Sequence, residues 1–165
     1  MTRLKVLREF THGRHKHSNC VTTALSAAEV SCQQEGQRLT PLRKRVLELV
    51  WNGHAPVKAY QILDVIRHEK SSAAPPTVYR ALDFLQEQGL VHKIESLNAY
   101  VGCGAPGHAG SGQLLICRDC GEVAEIDDQE VLELLAAKSR DVGFEISSPT
   151  IEIKGRCGRC LSKHG

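Results

Sequence analysis

Four cysteines stand in two identical spacings, Cys117 and Cys120 in "LLICRDCGEVAEI" and Cys157 and Cys160 in "GRCGRCLSKHG". Thiols at this spacing do one of three things: they cycle between dithiol and disulfide, staple a chain, or ligate a metal. The chain has 165 residues and seven cysteines, an odd count, and no segment apolar enough for a membrane span or signal peptide. That reads as a cytoplasmic, reducing setting, where a disulfide framework is disfavoured. A thioredoxin-type redox pair opens a helix in a βαβ unit, whereas the first pair here falls between two short apolar runs and the second in a tail. The expected chemistry is therefore a closed tetrahedral metal site with four thiolates. Thirty-six residues separate the pairs, more than in the usual zinc ribbon, so the segment between them must fold back on itself.

The elements that would do this are strands and a helix. "QLLIC" and "EVAEI" read as strands flanking the first pair, "DDQEVLELLAAKSRDVG" as a helix capped by an Asp and closed by Gly143, and "FEISSPTIEIKG" as an interrupted strand. A β-β-α-β unit of this size exposes much apolar surface when alone, and pairing with a second copy would cover it. Val131, Leu134, Leu135, Ile151 and Ile153 are candidates for core or for a dimer face, with core preferred for each one singly.

The first half reads differently. A short helix in "SAAEVSCQQEGQ" precedes "LTPLRKRVLELVWNG", where Thr40 is an N-cap, Pro41 the first helical residue and Leu42, Val46, Leu49 and Val50 an apolar face. A third helix, from Lys58 to His68, buries Ala59, Ile62, Leu63 and Ile66, with Val57 a poor cap. "PPTVYRALDFLQEQG" is the fourth, with Val78, Ala81, Leu82 and Leu85 inward and Gly89 at its left-handed end. "LVHKIE" and "AYVG" around Ser96-Leu97-Asn98 then form a hairpin. Helices followed by a hairpin make a winged helix-turn-helix, in which the fourth helix enters the DNA major groove. Thr77, Tyr79, Arg80 and Asp83 lie away from its apolar stripe. The DNA-contacting set is Tyr60, Thr77, Tyr79 and Arg80, with Arg80 suited to a bidentate guanine contact.

Net charge follows the same division: +4 over residues 1–20, +1 over 21–102 and −3 over 103–165. A basic front suits a polyanion and an acidic, cysteine-bearing back suits a cation. The fold class is thus α+β. Residues 1–20 are a basic N-terminal arm carrying His12, His15 and His17, poorly patterned and expected to be disordered. Residues 21–101 form the winged-helix domain, 102–113 a hinge with the glycine-rich "GCGAPGHAGSG", and 114–165 an α/β dimerisation and metal-binding domain. Cys20 and Cys32 are read as incidental.

"RLTPLRKRVLEL", "AYQILDVIR", "PPTVYRALDFLQEQGLVHKIES", "AYVGC", "ICRDCGEV" and "GRCGRC" resemble, in order, the ferric uptake regulator superfamily, and within it look most like the zinc uptake regulators. The resemblance spans about residues 24 to 160. It implies a cytoplasmic homodimer that binds double-stranded operator DNA at an inverted repeat, takes no part in a membrane, and represses genes with Zn(II) as corepressor. It implies two zinc ions per chain: a structural one on Cys117, Cys120, Cys157 and Cys160, and a regulatory one on His92, Cys103, His108 and Glu125. The loop carrying His108 is shorter than the family's, and no His-Xaa-His cluster precedes Cys117, so no third site is expected. Two imidazoles, a thiolate and a carboxylate suit tetrahedral zinc better than manganese or iron. The rival readings are a peroxide- or thiol-responsive, or other-metal-responsive, regulator of the same superfamily, and a zinc hydrolase using His92, Cys103 and His108. The hydrolase lacks an evident nucleophile and base pair, so no catalysis is expected.

Overall fold

The computed structural model describes residues 4–11, 17–53, 55–106 and 112–163. The chain divides into two compact units, residues 11–107 and a unit that joins residues 1–10 to residues 108–165.

The first unit begins with α1 (His17–Gln34), much longer than the short helix expected. Val21, Ala24, Ala28 and Cys32 are all buried, so the inward stripe continues toward the N-terminus at helical spacing. In α2 (Pro41–Trp51) the Thr40 hydroxyl accepts a hydrogen bond from the Arg43 N–H at 3.4 Å, as the capping pattern requires. Helix α3 (Ala59–Glu69) starts one residue later than expected. Lys58 is the N-cap, its N–H donating to Gln61 Oε1 at 2.8 Å. Val57 is instead a bridge residue, exchanging hydrogen bonds of 2.9 and 2.8 Å with Tyr100, which is why a β-branched residue stands there.

Helix α4 (Pro75–Glu87) enters through extended Ala74, as a residue before proline prefers, and the chain turns away at Gly89 with φ +63°. Its buried face is Val78, Ala81, Leu82 and Leu85, with Phe84 added beneath the Arg43 guanidinium, 3.4 Å from the ring centroid. These side chains meet Val46, Leu47, Val50, Ile62 and Ile66 in one core. β2 (Val91–Ile94) and β3 (Ala99–Gly102) complete the wing, with His92 opposite Val101 and Asn98 left-handed at φ +46° in the connection.

The second unit is a sheet of order β1-β5-β4-β6, built from β1 (Lys5–Arg8), β4 (Gln113–Cys117), β5 (Val123–Asp127) and β6 (Ile151–Gly155). β4 runs antiparallel to β5 and parallel to β6. Helix α5 (Gln129–Asp141) crosses between them, capped by Asp128, whose carboxylate accepts from the N–H groups of Glu130 and Val131. Buried Gln113 fastens this cap to β4: its Oε1 accepts from the Asp128 N–H at 2.9 Å, and its Nε2 donates to the Asp128 carbonyl at 3.5 Å. A one-turn helix, α6 (Gly158–Ser162), follows β6.

Three expectations are corrected here. The first twenty residues are not one patternless arm: Lys5–Arg8 add a strand to the sheet and α1 starts at His17, while His12 and His15 lie outside the described residues. Only Ile151–Gly155 of the expected interrupted strand pairs, since Pro149 has no N–H to offer a ladder. No residue of α5 is buried: Val131, Leu134 and Leu135 are 38%, 60% and 41% exposed, and Ile153 on β6 is 50% exposed, so the preference for core fails for these four, while Ile151 is half-buried. Among the described residues no helix is long and apolar enough to cross a membrane.

Candidate functional site

The four-cysteine site is assembled by two turns. After β4 the chain reverses through Cys117-Arg118-Asp119-Cys120, with Gly121 at φ +74° donating its N–H to the Cys117 carbonyl at 3.0 Å. The Arg118 N–H reaches across to the Gly155 carbonyl at 2.9 Å, and Arg156 Nε donates to Asp119 Oδ2 at 2.8 Å, which brings the second turn beside the first. The second pair does open a helix, with Cys157 as the N-cap of α6, so the expectation of a plain tail is corrected. What sets it apart from a redox pair is that all four sulfurs lie within 4.8 Å of one another.

That geometry fits a metal. Zinc–thiolate bonds of about 2.3 Å at tetrahedral angles put sulfurs about 3.8 Å apart, and Cys120 Sγ and Cys157 Sγ are 3.9 Å apart. The Cys157 N–H points at Cys117 Sγ at 3.4 Å. Burial pushes the Cys117 thiol up, but N–H groups of Cys120, Cys157 and Asp119 more than offset this and hold it down at about 6. Burial and the neighbouring sulfurs push Cys160 up to about 12, and burial pushes Cys120 up. Packed sulfurs therefore resist ionising together, and a divalent cation among them removes that penalty. Arg118 and Arg159 stand inside the two turns, and cationic side chains there would offset the net negative charge of a divalent metal on four thiolates. Cys117, Cys157 and Cys160 are buried, with Phe10 packed against them, while Cys120 is exposed. The sequence around Phe10 does not announce this place, since Leu7 and Arg8 break the alternation that Leu4, Lys5 and Val6 begin.

The remaining metal-type residues sit as follows. In the winged unit, His92 is half-buried on β2 with Nε2 closed off from solvent. Cys103 is buried just beyond β3; its N–H donates to the Leu90 carbonyl at 3.0 Å and its Sγ to the Ala105 carbonyl at 3.3 Å. A Cβ at Gly102 would overlap the Trp51 indole, so glycine lets the strand that leads to Cys103 lie against α2. In the sheet unit, Glu125 on β5 is 1% exposed, and a Cβ at Gly112 would run into its carboxylate. His108 lies outside the described residues. Cys32 is a core residue of the winged unit, its thiol pushed up by burial against the opposing charge of Arg43.

On the outer face of α4, Thr77, Tyr79, Arg80 and Asp83 are exposed, and Tyr60 is exposed on α3. Their backs are turned to the core, so the outer face is free to meet a ligand. Tyr60 and Tyr79, at 58% and 48%, are large side chains left in solvent, and with exposed Arg80 on α4 they make a composition that suits phosphate and base contact.

Comparison with known proteins agrees with this layout. The ferric uptake regulator family model matches residues 34–154. The zinc uptake regulation protein of Escherichia coli strain K12 is 41% identical over 140 residues, covering 83% of this chain and 81% of that one. Among solved structures, a zinc uptake regulator complexed with zinc and DNA superposes with a TM-score of 0.81 at 39% identity, over 87% of this chain and 97% of its own. Holo XcZur superposes with a TM-score of 0.78 at 43% identity, over 85% and 98%.

Proposed function

This chain belongs to the ferric uptake regulator family, and from that premise we propose that it is a zinc-responsive, DNA-binding repressor of zinc uptake and homeostasis genes, with zinc as corepressor. It acts as a homodimer on an inverted repeat of double-stranded DNA and is a regulator, not an enzyme. The observation that carries this reading is the likeness, along most of both chains, to a zinc uptake regulator solved with zinc and DNA.

In the proposed division of labour, α4 lies in the major groove. Arg80 reads a guanine edge through its two-pronged guanidinium, and Thr77, Tyr79 and Tyr60 hold phosphates or a thymine methyl. The exposed apolar residues of α5 meet the same residues of a second copy, and a dimer offers two α4 helices to the two half-sites of the repeat. Cys117, Cys120, Cys157 and Cys160 hold a structural zinc that ties β4 to the end of β6. The regulatory ion falls to His92, Cys103, His108 and Glu125, a set that rests on the family resemblance and gives two zinc per chain. Zinc supplies a bond between ligands that stand far apart in the chain. Those ligands favour one arrangement of the molecule, the arrangement that fits DNA, so metal and DNA raise each other's affinity.

The test is selection from a random duplex library with and without zinc. Recovery of an inverted repeat only with zinc is the expected result. Enrichment that ignores zinc, or that follows peroxide treatment instead, would refute the corepressor role.

A further inference from the structure

Residues 1–33 precede the segment matched by the family model, yet seven of them, Leu4 to Phe10, are built into the metal-bearing unit. β1 pairs antiparallel with β5, with Lys5 opposite Asp127, Val6 opposite Ile126 and, past a bulge, Arg8 opposite Glu125. Two basic residues thus face two acidic ones across one strand pair, a register that a one-residue slip would destroy. β5 would otherwise be an open edge. Two residues beyond the strand, Phe10 packs on Cys117, Cys157 and Cys160.

We infer that β1 is a strap and Phe10 a lid over the four-cysteine centre, and that together they slow exchange of its metal. A thiolate-bound metal leaves when a proton or a competing ligand reaches a sulfur or the ion itself. Three of the four cysteines are buried, with Phe10 packed against that cluster, and of the four Cys120 is exposed. The ring stays there because strand pairing fixes the backbone that carries it, two residues beyond the end of the β1 ladder. The bulge between Val6 and Arg8 re-aims the strand just before the ring. A nonpolar cover excludes water and chelator without touching the ligands' own chemistry.

The inference rests on the four-cysteine metal site, and its experiment separates the two. Full-length protein, loaded with zinc, is mixed with excess metallochromic chelator, and the slow phase of zinc transfer is timed. Phe10→Ala is expected to speed that phase about tenfold while Phe10→Leu stays within about twofold. Deletion of residues 4–8, which leaves Phe10 in place, is expected to speed it as much as Phe10→Ala and to raise hydrogen exchange across residues 123–127. Zinc content before chelation should match the wild-type protein in every variant, which excludes simple misfolding. A slow phase unchanged in Phe10→Ala or in the deletion overturns the lid and leaves the metal site standing. Wild-type protein with no slowly released zinc overturns both.

Discussion

Leu134→Ala is the sharpest perturbation of the proposed dimer. Truncating leucine to alanine removes three carbons, worth about 2.4 kcal/mol when fully buried at about 0.8 kcal/mol each. Leu134 is 60% exposed in the single chain, so about 1.4 kcal/mol of that remains to be gained by docking. An isologous interface contains the residue twice, which makes the loss about 3 kcal/mol, or about 100-fold in the dimer dissociation constant. The folded single chain loses only the buried remainder, about 1 kcal/mol, because α5 sends no side chain fully into a core. Sedimentation over a concentration series, with zinc content measured on the same samples, reads the two effects apart. An unchanged dissociation constant would refute α5 as the meeting face, and loss of the monomer's fold would refute its peripheral place in the unit.

Arg80→Ala should weaken binding to the selected inverted repeat by about 1–3 kcal/mol and to random DNA much less; equal weakening on both, measured by fluorescence anisotropy, would reduce Arg80 to a phosphate contact. Cys103→Ser should leave a folded dimer with its slowly exchanging zinc but abolish the gain in DNA affinity on adding zinc, whereas Cys117→Ser should lose that zinc and the fold of the sheet unit with it. Acid should strip the four-cysteine centre. Cys160 and Cys120 have thiols pushed up by burial, so both are protonated at neutral pH without metal and must release their protons to bind it, while Cys117, held at about 6, is mostly ionised already. Zinc uptake near pH 7 should then release at least about two protons, and affinity should fall at least about 100-fold per pH unit lowered; calorimetry in buffers of different ionisation enthalpy would contradict this if it found fewer than one.

The winged unit was legible because its signals are local. Thr40 with Pro41, Pro75 with Pro76, and Gly89 mark element ends by the chemistry of their own backbone, and the i, i+3, i+4 spacing of Val78, Ala81, Leu82 and Leu85 marks an inward face. Val57 shows where local reading stops: as a cap it looked wrong, and only its distant partner Tyr100 explains it. β1 was illegible for the same reason. Four residues with no turn chemistry carry little strand signal until β5 is known to lie beside them. The stripe of Val131, Leu134 and Leu135 was visible, but an apolar helix face reads identically whether its own chain or a second copy covers it. The cysteine spacing announced a metal, and the closeness of the four sulfurs follows from hydrogen bonds, Arg118 to Gly155 and Arg156 to Asp119, that no spacing rule contains.

The central claim is that metal occupancy sets DNA affinity, and its most direct test is the affinity of the selected inverted repeat measured across a series of buffered free-zinc concentrations, with iron(II) and manganese(II) series alongside. The account predicts a rise of at least about 10-fold with zinc, a much smaller one with the other two metals, and a free-zinc midpoint lowered by saturating DNA by the same factor. Affinity that is flat across the zinc series, or that rises equally with iron, would contradict it.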